Sequence, residues 1–209
     1  MKSPTTNNKA ISPSDRLLKL VRKRGTIRTS DAASEGIPGV YVRRLAQQGR
    51  LQQISRGVYR SVDEAPGHHH ALVLVALKSP QAIISLLSAL SFHGTTTQLP
   101  PEVWVTVAAK ARSPKPEWPE VHITRASGKA LTEGIEVHEL EGVPVRIYSV
   151  AKTIADCFKF RSKVGLDVAL EALREYRRGK QGTMDELERF ARICRVSRIM
   201  RPYLEALAS

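Results

Sequence analysis

A helix predicted at residues 38–48 carries the side chains best suited to chemistry. With Val42 at the centre of its buried face, a spacing of 100° per residue puts four side chains on the opposite face: Val40, Arg43, Arg44 and Gln47. In a DNA major groove, arginine pairs with guanine, glutamine pairs with adenine, and an aliphatic side chain contacts the thymine methyl. Residues 36–61 contain five Arg and no Asp or Glu, which an ordinary solvated helix face would not explain. The pattern predicts a surface that binds duplex DNA.

Short elements on either side predict how this helix is positioned. Ser12, Pro13 and Asp15 are typical of a helix start, and Gly25 ends that helix before a short strand at residues 26–28. A second helix is predicted at residues 29–35, and a hairpin at residues 51–60 turns at residues 55–57. Three helices followed by a hairpin predict a winged helix-turn-helix.

The remaining candidate DNA contacts lie outside the third helix. Arg56 is at the tip of the hairpin, the wing, where it can reach the flanking minor groove or the phosphates. Arg28, Thr29 and Ser30 stand at the start of the second helix and can contact the phosphate backbone. The predicted DNA-binding set is Arg28, Thr29, Ser30, Val40, Arg43, Arg44, Gln47 and Arg56.

The 209-residue chain has an uneven charge distribution. Its 33 Lys and Arg outnumber 20 Asp and Glu, and this net charge of +13 favours a polyanionic partner. Residues 1–66 carry +8, residues 67–151 are neutral, and residues 152–209 carry +5. Hydrophobic residues make up 42% of the chain, which is too many for a chain that is disordered throughout.

The pattern along the chain predicts an α+β protein with two domains. We expect a disordered arm at residues 1–11, a winged helix-turn-helix DNA-binding domain at 12–62, a linker at 63–67 and a C-terminal domain at 68–209. The C-terminal domain begins with two helices around a short apolar segment, continues with four strand-like runs and finishes with four helices. It is therefore predicted to be a mixed α/β domain that ends in a helical segment.

Two groups of histidines favour structural interpretations. The adjacent His68, His69 and His70 point in different directions on a helix, so they lack the i, i+4 geometry of a metal-binding pair. His93 precedes Gly94 at a predicted helix end, where a histidine usually caps the last carbonyls. We therefore predict no catalytic residues, no bound metal and no cofactor.

A metal-dependent nuclease is the enzymatic alternative. Asp156, Asp167 and Glu171 are the candidate metal ligands, and the last two share a helix face. The same acids lie three or four residues from basic side chains, as in Asp156–Lys159 and Glu171–Arg174, which favours surface ion pairs.

Five arginines near the C-terminus leave a further alternative open. They follow one another at regular intervals of three: Arg189, Arg192, Arg195, Arg198 and Arg201. Such a face could follow a phosphate backbone or could simply be a solvated surface. Aromatic residues make up only 5% of the chain, so the stacking platforms that single-stranded RNA needs are scarce.

Cysteine content and hydropathy exclude several classes of protein. Cys157 and Cys194 form no C-x-x-C motif, which excludes a disulfide scaffold and a cysteine-rich zinc site. The polar start has no apolar signal core, and no apolar run approaches the roughly 20 residues that cross a bilayer. We expect no membrane partner and a cytoplasmic location.

Several segments resemble the AbiEi-type antitoxins of type IV toxin–antitoxin, or abortive-infection, systems. In the first domain they are residues 36–45 and the wing at residues 56–60. In the second they are residues 88–94, 143–145, 152–157 and 163–173. Gly39 departs from the family, whose members often carry a more polar or basic residue there.

The resemblance implies an antitoxin that represses its own operon. It implies a winged helix that binds an inverted-repeat operator through Arg43, Arg44, Gln47 and Arg56. It also implies a second domain that counteracts a nucleotidyltransferase-like toxin without forming a stable complex. We expect the chain to be a monomer or weak dimer. A solitary winged-helix transcriptional regulator is the alternative.

Overall fold

The computed structural model describes residues 12–111 and 119–208. The arm predicted at residues 1–11 lies outside the described residues. The chain divides into two compact units, residues 1–68 and residues 69–209. Each unit has its own hydrophobic core.

Within the described residues, the first unit contains three helices and three short strands. In chain order they are α1 (Pro13–Arg24), β1 (Thr26–Arg28), α2 (Thr29–Ser34), α3 (Gly39–Gln47), β2 (Leu51–Ser55) and β3 (Val58–Ser61). The strands form an antiparallel sheet in the order β1-β3-β2. This is the predicted winged helix-turn-helix.

Local sequence signals set the ends of α1. The Ser12 side chain accepts a hydrogen bond from the Asp15 backbone N–H, and Pro13 occupies the first helical position. Gly25 ends the helix with φ +82°, a conformation that costs glycine little. Leu17, Leu18 and Val21 then face the core, where each buried aliphatic side chain contributes roughly 1.5–3 kcal/mol.

The second unit contains eight helices and five strands within the described residues. They are α4 (His70–Lys78), β4 (Ile83–Ile84), α5 (Leu86–Phe92), β5 (Val103–Ala108), β6 (Val121–Ala126), α6 (Lys129–Thr132), β7 (Ile135–Leu140), β8 (Val143–Tyr148), α7 (Val150–Lys159), α8 (Arg161–Val164), α9 (Leu166–Arg178), α10 (Met184–Ile193) and α11 (Ser197–Ala208). The fold class is the predicted one, a mixed α/β arrangement that ends in helices.

A mixed five-stranded sheet organises the second unit. Its strand order is β6-β5-β4-β8-β7. The pairs β4–β8 and β5–β6 are parallel, whereas β4–β5 and β7–β8 are antiparallel. Residues 103–107 of β5 are all buried, as is typical of a strand covered on both faces.

Helix α7 lies at the centre of the helical layer. Residues 151–158 are buried without interruption, and the helix packs against α5, α9 and α10. Ser149 begins it by accepting a hydrogen bond from the Lys152 backbone N–H. None of the helices in the described ranges has both the length and the apolar character that a membrane crossing requires.

Candidate nucleic-acid interface

Helix α3 presents the predicted face to solvent. Val42 and Leu45 are buried in the core of the first unit, which fixes the rotation of the helix. Val40, Arg43, Arg44 and Gln47 are all exposed, and Val40 is 63% exposed despite its aliphatic side chain. The geometry predicted from the helical spacing is therefore present, and contact of these side chains with DNA stays a prediction.

Two acids of the first unit pair with arginines that lie outside the predicted interface. Glu35 pairs with Arg24 of α1 at 2.9 Å, and Glu64 pairs with Arg22 at 3.7 Å. In the described ranges, Arg43, Arg44 and Arg56 have no ion-pair partner. Their charges are thus available to a polyanion.

The wing places Arg56 beside α2. Arg56 and Gly57 join β2 to β3, and Gly57 takes φ +72°, which a glycine adopts without strain. The Gly57 carbonyl accepts hydrogen bonds from the Thr29 backbone N–H at 2.9 Å and from Thr29 Oγ1 at 3.3 Å. The wing tip is therefore fixed to the first residue of α2, with the Arg56 side chain exposed.

The three residues at the start of α2 have different surroundings. Arg28 is half-buried at the N-cap position, and its backbone N–H donates to Asp31 Oδ2 at 3.2 Å. Ser30 is exposed and its hydroxyl donates to Asp31 Oδ1 at 3.3 Å. The Thr29 hydroxyl, in contrast, is engaged with the wing, a role that the sequence did not reveal because the two residues are 28 positions apart.

Gly39 has a packing reason for lacking a side chain. A Cβ atom at this position would lie 3.1 Å from Thr29 Cγ2, closer than ordinary van der Waals contact. Helix α3 therefore approaches α2 closely at its first residue, and the polar residue expected from the resemblance would crowd Thr29.

We predict that Thr29→Val loosens the wing. Valine keeps the methyl packing but cannot donate to Gly57, so the local opening free energy should fall by about 0.5–1.5 kcal/mol. Amide hydrogen exchange at residues 56–58 measures this opening. Ser30→Ala is the matched control, because its exposed hydroxyl donates to the adjacent Asp31. Equal acceleration of exchange in the two variants would contradict the conclusion that the Thr29 hydroxyl holds the wing in place.

The histidines of the second unit are held in internal contacts. His70 is buried, with Nδ1 2.8 Å from Glu141 Oε2. The His69 ring lies 5.0 Å from the Phe92 ring. In the part of the chain that the structure describes, no group of three or more His, Cys, Asp or Glu side chains could hold a metal ion.

His93 is the C-cap residue of α5, as predicted, but its ring bonds to a strand. The Nε2 atom lies 2.8 Å from the Tyr148 carbonyl of β8. Burial lowers the pKa of His93 below its ordinary value. A carbonyl only accepts, so Nε2 carries the proton of the neutral ring, and His93 joins α5 to the central sheet.

Asp156 belongs to a buried network rather than to a surface ion pair. Its carboxylate accepts from Lys152 Nζ, one turn earlier on α7, and from Cys194 Sγ at 3.3 Å. Lys152 is 1% exposed and its Nζ lies 4.0 Å from the centroid of the Tyr148 ring. Burial, reinforced by Asp156, raises the pKa of Cys194 to about 12, so this thiol stays protonated and donates. The predicted pair Asp156–Lys159 is wrong, because Asp156 pairs with the buried Lys152 while Lys159 is exposed at the last residue of α7.

The other two candidate carboxylates also differ from expectation. Asp167 is exposed at the start of α9. Glu171 accepts from the Thr97 backbone N–H at 3.0 Å and from the Thr96 and Thr97 hydroxyls, so the predicted pair Glu171–Arg174 is wrong. The sequence could not show that the loop after α5 reaches α9.

The five C-terminal arginines do not form one continuous face. Helix α10 ends at Ile193 and α11 begins at Ser197, which leaves two of the arginines on each helix and Arg195 in the connection between them. Arg189 pairs with Glu133 at 2.6 Å, Arg192 with Glu188 at 3.7 Å, and Arg201 with Glu205 at 2.8 Å. The regular interval of three therefore does not translate into a track for a phosphate backbone.

Comparisons with known proteins give one family match and one solved structure of similar fold. Residues 15–62 match the family described as "Transcriptional regulator, AbiEi antitoxin". No curated protein matches the chain. The crystal structure of the RV2827C protein from Mycobacterium tuberculosis is similar in fold, with a TM-score of 0.53 and 15% identity over 91% of this chain and 75% of that one. Residues 15–62 are therefore similar in sequence to the AbiEi antitoxin family of transcriptional regulators.

Proposed function

We propose that the first unit binds operator DNA with α3 in the major groove. Arg43 and Arg44 donate to guanine edges, Gln47 pairs with adenine, and Val40 contacts a thymine methyl. The observation that carries the proposal is the exposed face of α3, where unpaired arginines stand in a stretch, residues 36–61, that contains no acid. A basic face without acids is typical of surfaces that bind the phosphate-lined grooves of DNA.

The wing and the start of α2 supply contacts to the sugar–phosphate backbone of the DNA. Arg56 anchors a phosphate or enters the flanking minor groove, and Arg28 and Ser30 contact phosphates. Thr29 acts indirectly by holding the Gly57 carbonyl. On an inverted-repeat operator, two copies of a chain that is a monomer or weak dimer in solution would each occupy one half-site.

We further propose that the chain represses its own operon and is an abortive-infection antitoxin. The AbiEi family match at residues 15–62 supports an antitoxin-type regulator. The second unit would counteract a nucleotidyltransferase-like toxin without a stable complex. The chain would act in the cytoplasm by binding and not by catalysis.

A pair of cellular assays separates these two activities. The wild-type chain should repress a reporter driven by the gene's own upstream region, and the Arg43→Ala variant should not. Both proteins should relieve growth arrest by the toxin encoded next to the gene, because Arg43 belongs only to the DNA-binding unit. Lys19→Ala, which removes an exposed charge from α1, is the control for net charge.

Each outcome assigns a different function. Repression without protection from a toxin would identify a solitary regulator and overturn the antitoxin proposal. Protection without repression would overturn the operator proposal. Loss of both activities in Arg43→Ala, with the fold intact, would show that toxin neutralisation itself requires DNA binding.

A further inference from the structure

Strand β7 forms one edge of the five-stranded sheet. It pairs with β8 and is the last strand in the order β6-β5-β4-β8-β7. Edge strands are usually protected from pairing with another chain by Lys, Pro, a bulge or a covering segment. Residues 135–140 contain neither Lys nor Pro, and their one-to-one register with β8 has no bulge. The strand therefore lacks the sequence features and the irregularity that protect other edges.

The turn between β7 and β8 determines which backbone groups point outward. Its two residues, Glu141 and Gly142, both have positive φ, +49° and +73°, as in the type I′ turn of a two-residue hairpin. In such a hairpin the closing pair, here Leu140 and Val143, exchanges both backbone hydrogen bonds, and every second pair does the same. The backbone N–H and C=O groups of the intervening residues, 135, 137 and 139, therefore point away from β8.

In the part of the chain that the structure describes, these outward backbone groups have no hydrogen-bond partner. Pro144 stands opposite Glu139, and proline is tolerated there because the two residues of a non-hydrogen-bonded pair direct their N–H groups away from each other. Val137, at the centre of the edge, is 65% exposed. An edge of this kind is a template for one further strand.

The sequence of β7 is complementary to itself when two copies run antiparallel. Hydrogen bonds between the outward groups require that residues 135, 137 and 139 of one copy face those of the other, and a two-fold axis through Val137 satisfies this requirement. Val137 then faces Val137 of the second copy, Ile135 faces Glu139, and Glu136 faces His138. Every residue from 135 to 139 thus has a partner.

The side chains favour this register over its neighbours. Glu136 Oε2 and His138 Nε2 lie 2.9 Å apart on one face of the strand, and in the two-fold register each group also faces its complement in the second copy. On the other face, the two exposed Val137 side chains pack against each other at the axis. Moving the axis by one residue would place Glu136 opposite Glu136, or His138 opposite His138, and remove this complementarity.

The charge distribution also favours a second copy as the partner of this strand. Residues 67–151, which include β7, are neutral, whereas both ends of the chain are basic. Two copies that meet at β7 therefore avoid the repulsion that an interface in either basic segment would cause.

We propose that two copies of the chain pair through β7, antiparallel and centred on Val137, so that their two five-stranded sheets become one continuous sheet. One pair of strands buries a small area, which makes the dimer a weak one. A dimer carries two DNA-binding units, one for each half of an inverted-repeat operator. This use of the dimer rests on the proposed function, whereas the pairing of β7 does not.

Disulfide cross-linking of the full chain tests the register. The two cysteines of the chain, Cys157 and Cys194, are both buried, so a cysteine introduced at the edge is the exposed thiol that reacts. Val137→Cys places two thiols across a hydrogen-bonded antiparallel pair, whose Cα atoms lie about 5.5 Å apart, within the range that a disulfide spans. Mild oxidation should therefore give a covalent dimer.

Glu139→Cys is the matched control, because residue 139 is exposed on the same face of the same strand. In the proposed register its two copies lie four residues apart along the strand, about 13 Å, which is too far for a disulfide. Val137→Cys should therefore cross-link at least about tenfold faster than Glu139→Cys. Equal rates would show random collision, and faster cross-linking at residue 139 would show another register; either result would overturn the proposal.

Sedimentation equilibrium without DNA measures the dimer itself. Wild-type protein should self-associate as its concentration rises, and Val137→Lys, which puts two ammonium groups at the axis, should raise the dimer Kd at least about tenfold. Val137→Thr keeps a β-branched side chain and should change the Kd by less than about threefold. A dimer that Val137→Lys leaves intact, or a monomer that shows no selective cross-linking, would overturn the proposal.

DNA titrations separate this proposal from the operator proposal. Val137→Lys should bind a single half-site within about twofold of the wild-type affinity, since the substitution is a distant, screened charge, and should bind the inverted repeat with less cooperativity. If wild-type protein binds operator and scrambled DNA equally, the proposed function fails and the cross-linking result is unaffected. If the operator is recognised but Val137→Cys does not cross-link selectively, the pairing of β7 fails alone.

Discussion

Replacing Arg43 by alanine is expected to cost about 1–3 kcal/mol of specific DNA binding and to relax the sequence preference at one operator position. Arg43 is exposed on α3, opposite the buried Val42 and Leu45, and no acid in residues 36–61 competes for its guanidinium. Titration of the full chain against the operator and against single-base variants of it measures both effects.

The control for this prediction is Lys19→Ala on α1. It removes one exposed charge from the same unit without touching α3. The loss in affinity should be small, and the sequence preference should not change. If Arg43→Ala weakens binding to all sequences equally, with a smaller dependence on salt, Arg43 contacts a phosphate and the assignment to a base edge is wrong.

Removal of Asp156 should destabilise the second unit by about 3–5 kcal/mol, since Asp156→Ala leaves the Lys152 ammonium buried without its carboxylate. Lys152 is 1% exposed, and its Nζ also lies over the face of the Tyr148 ring. The Cys194 thiol also loses its acceptor. Chemical denaturation of the full chain, followed by a probe in the second unit, measures the loss.

A double variant shows whether the loss comes from the unpaired charge. Lys152→Met combined with Asp156→Leu removes both charges at similar volume and should recover most of the stability. Asp167→Ala, at an exposed position, should cost less than about 1 kcal/mol. A metal-dependent nuclease would give a different result, in which both single variants abolish DNA cleavage and Asp156→Ala leaves stability unchanged.

Local chemistry predicted the elements of this chain well. Ser12 and Gly25 fix the ends of α1 through their own hydrogen bond and backbone conformation. The rotation of α3 followed from the spacing of Val42 and Leu45, which are buried as expected. These features depend on neighbours within one or two turns, which the sequence displays directly.

Contacts between distant residues were not visible in the sequence. The Thr29–Gly57 hydrogen bonds span 28 positions, and those from Thr96 and Thr97 to Glu171 span about 75. The partner of Asp156 was within reach of sequence reasoning, because Lys152 lies one helical turn earlier, at i, i+4 spacing. Lys152 is buried and Lys159 is exposed, and only the packing of α7 against its neighbours decides where along the helix burial ends.

The central claim is that the first unit recognises a specific DNA sequence. It is tested most directly by comparing the binding of the full chain to DNA from its own upstream region and to scrambled DNA of equal length, at physiological salt. Our account predicts a preference of about 10³-fold or more for the upstream DNA. Equal affinities for the two, in the range of about 10⁻⁴–10⁻⁶ M that charge alone provides, would contradict it.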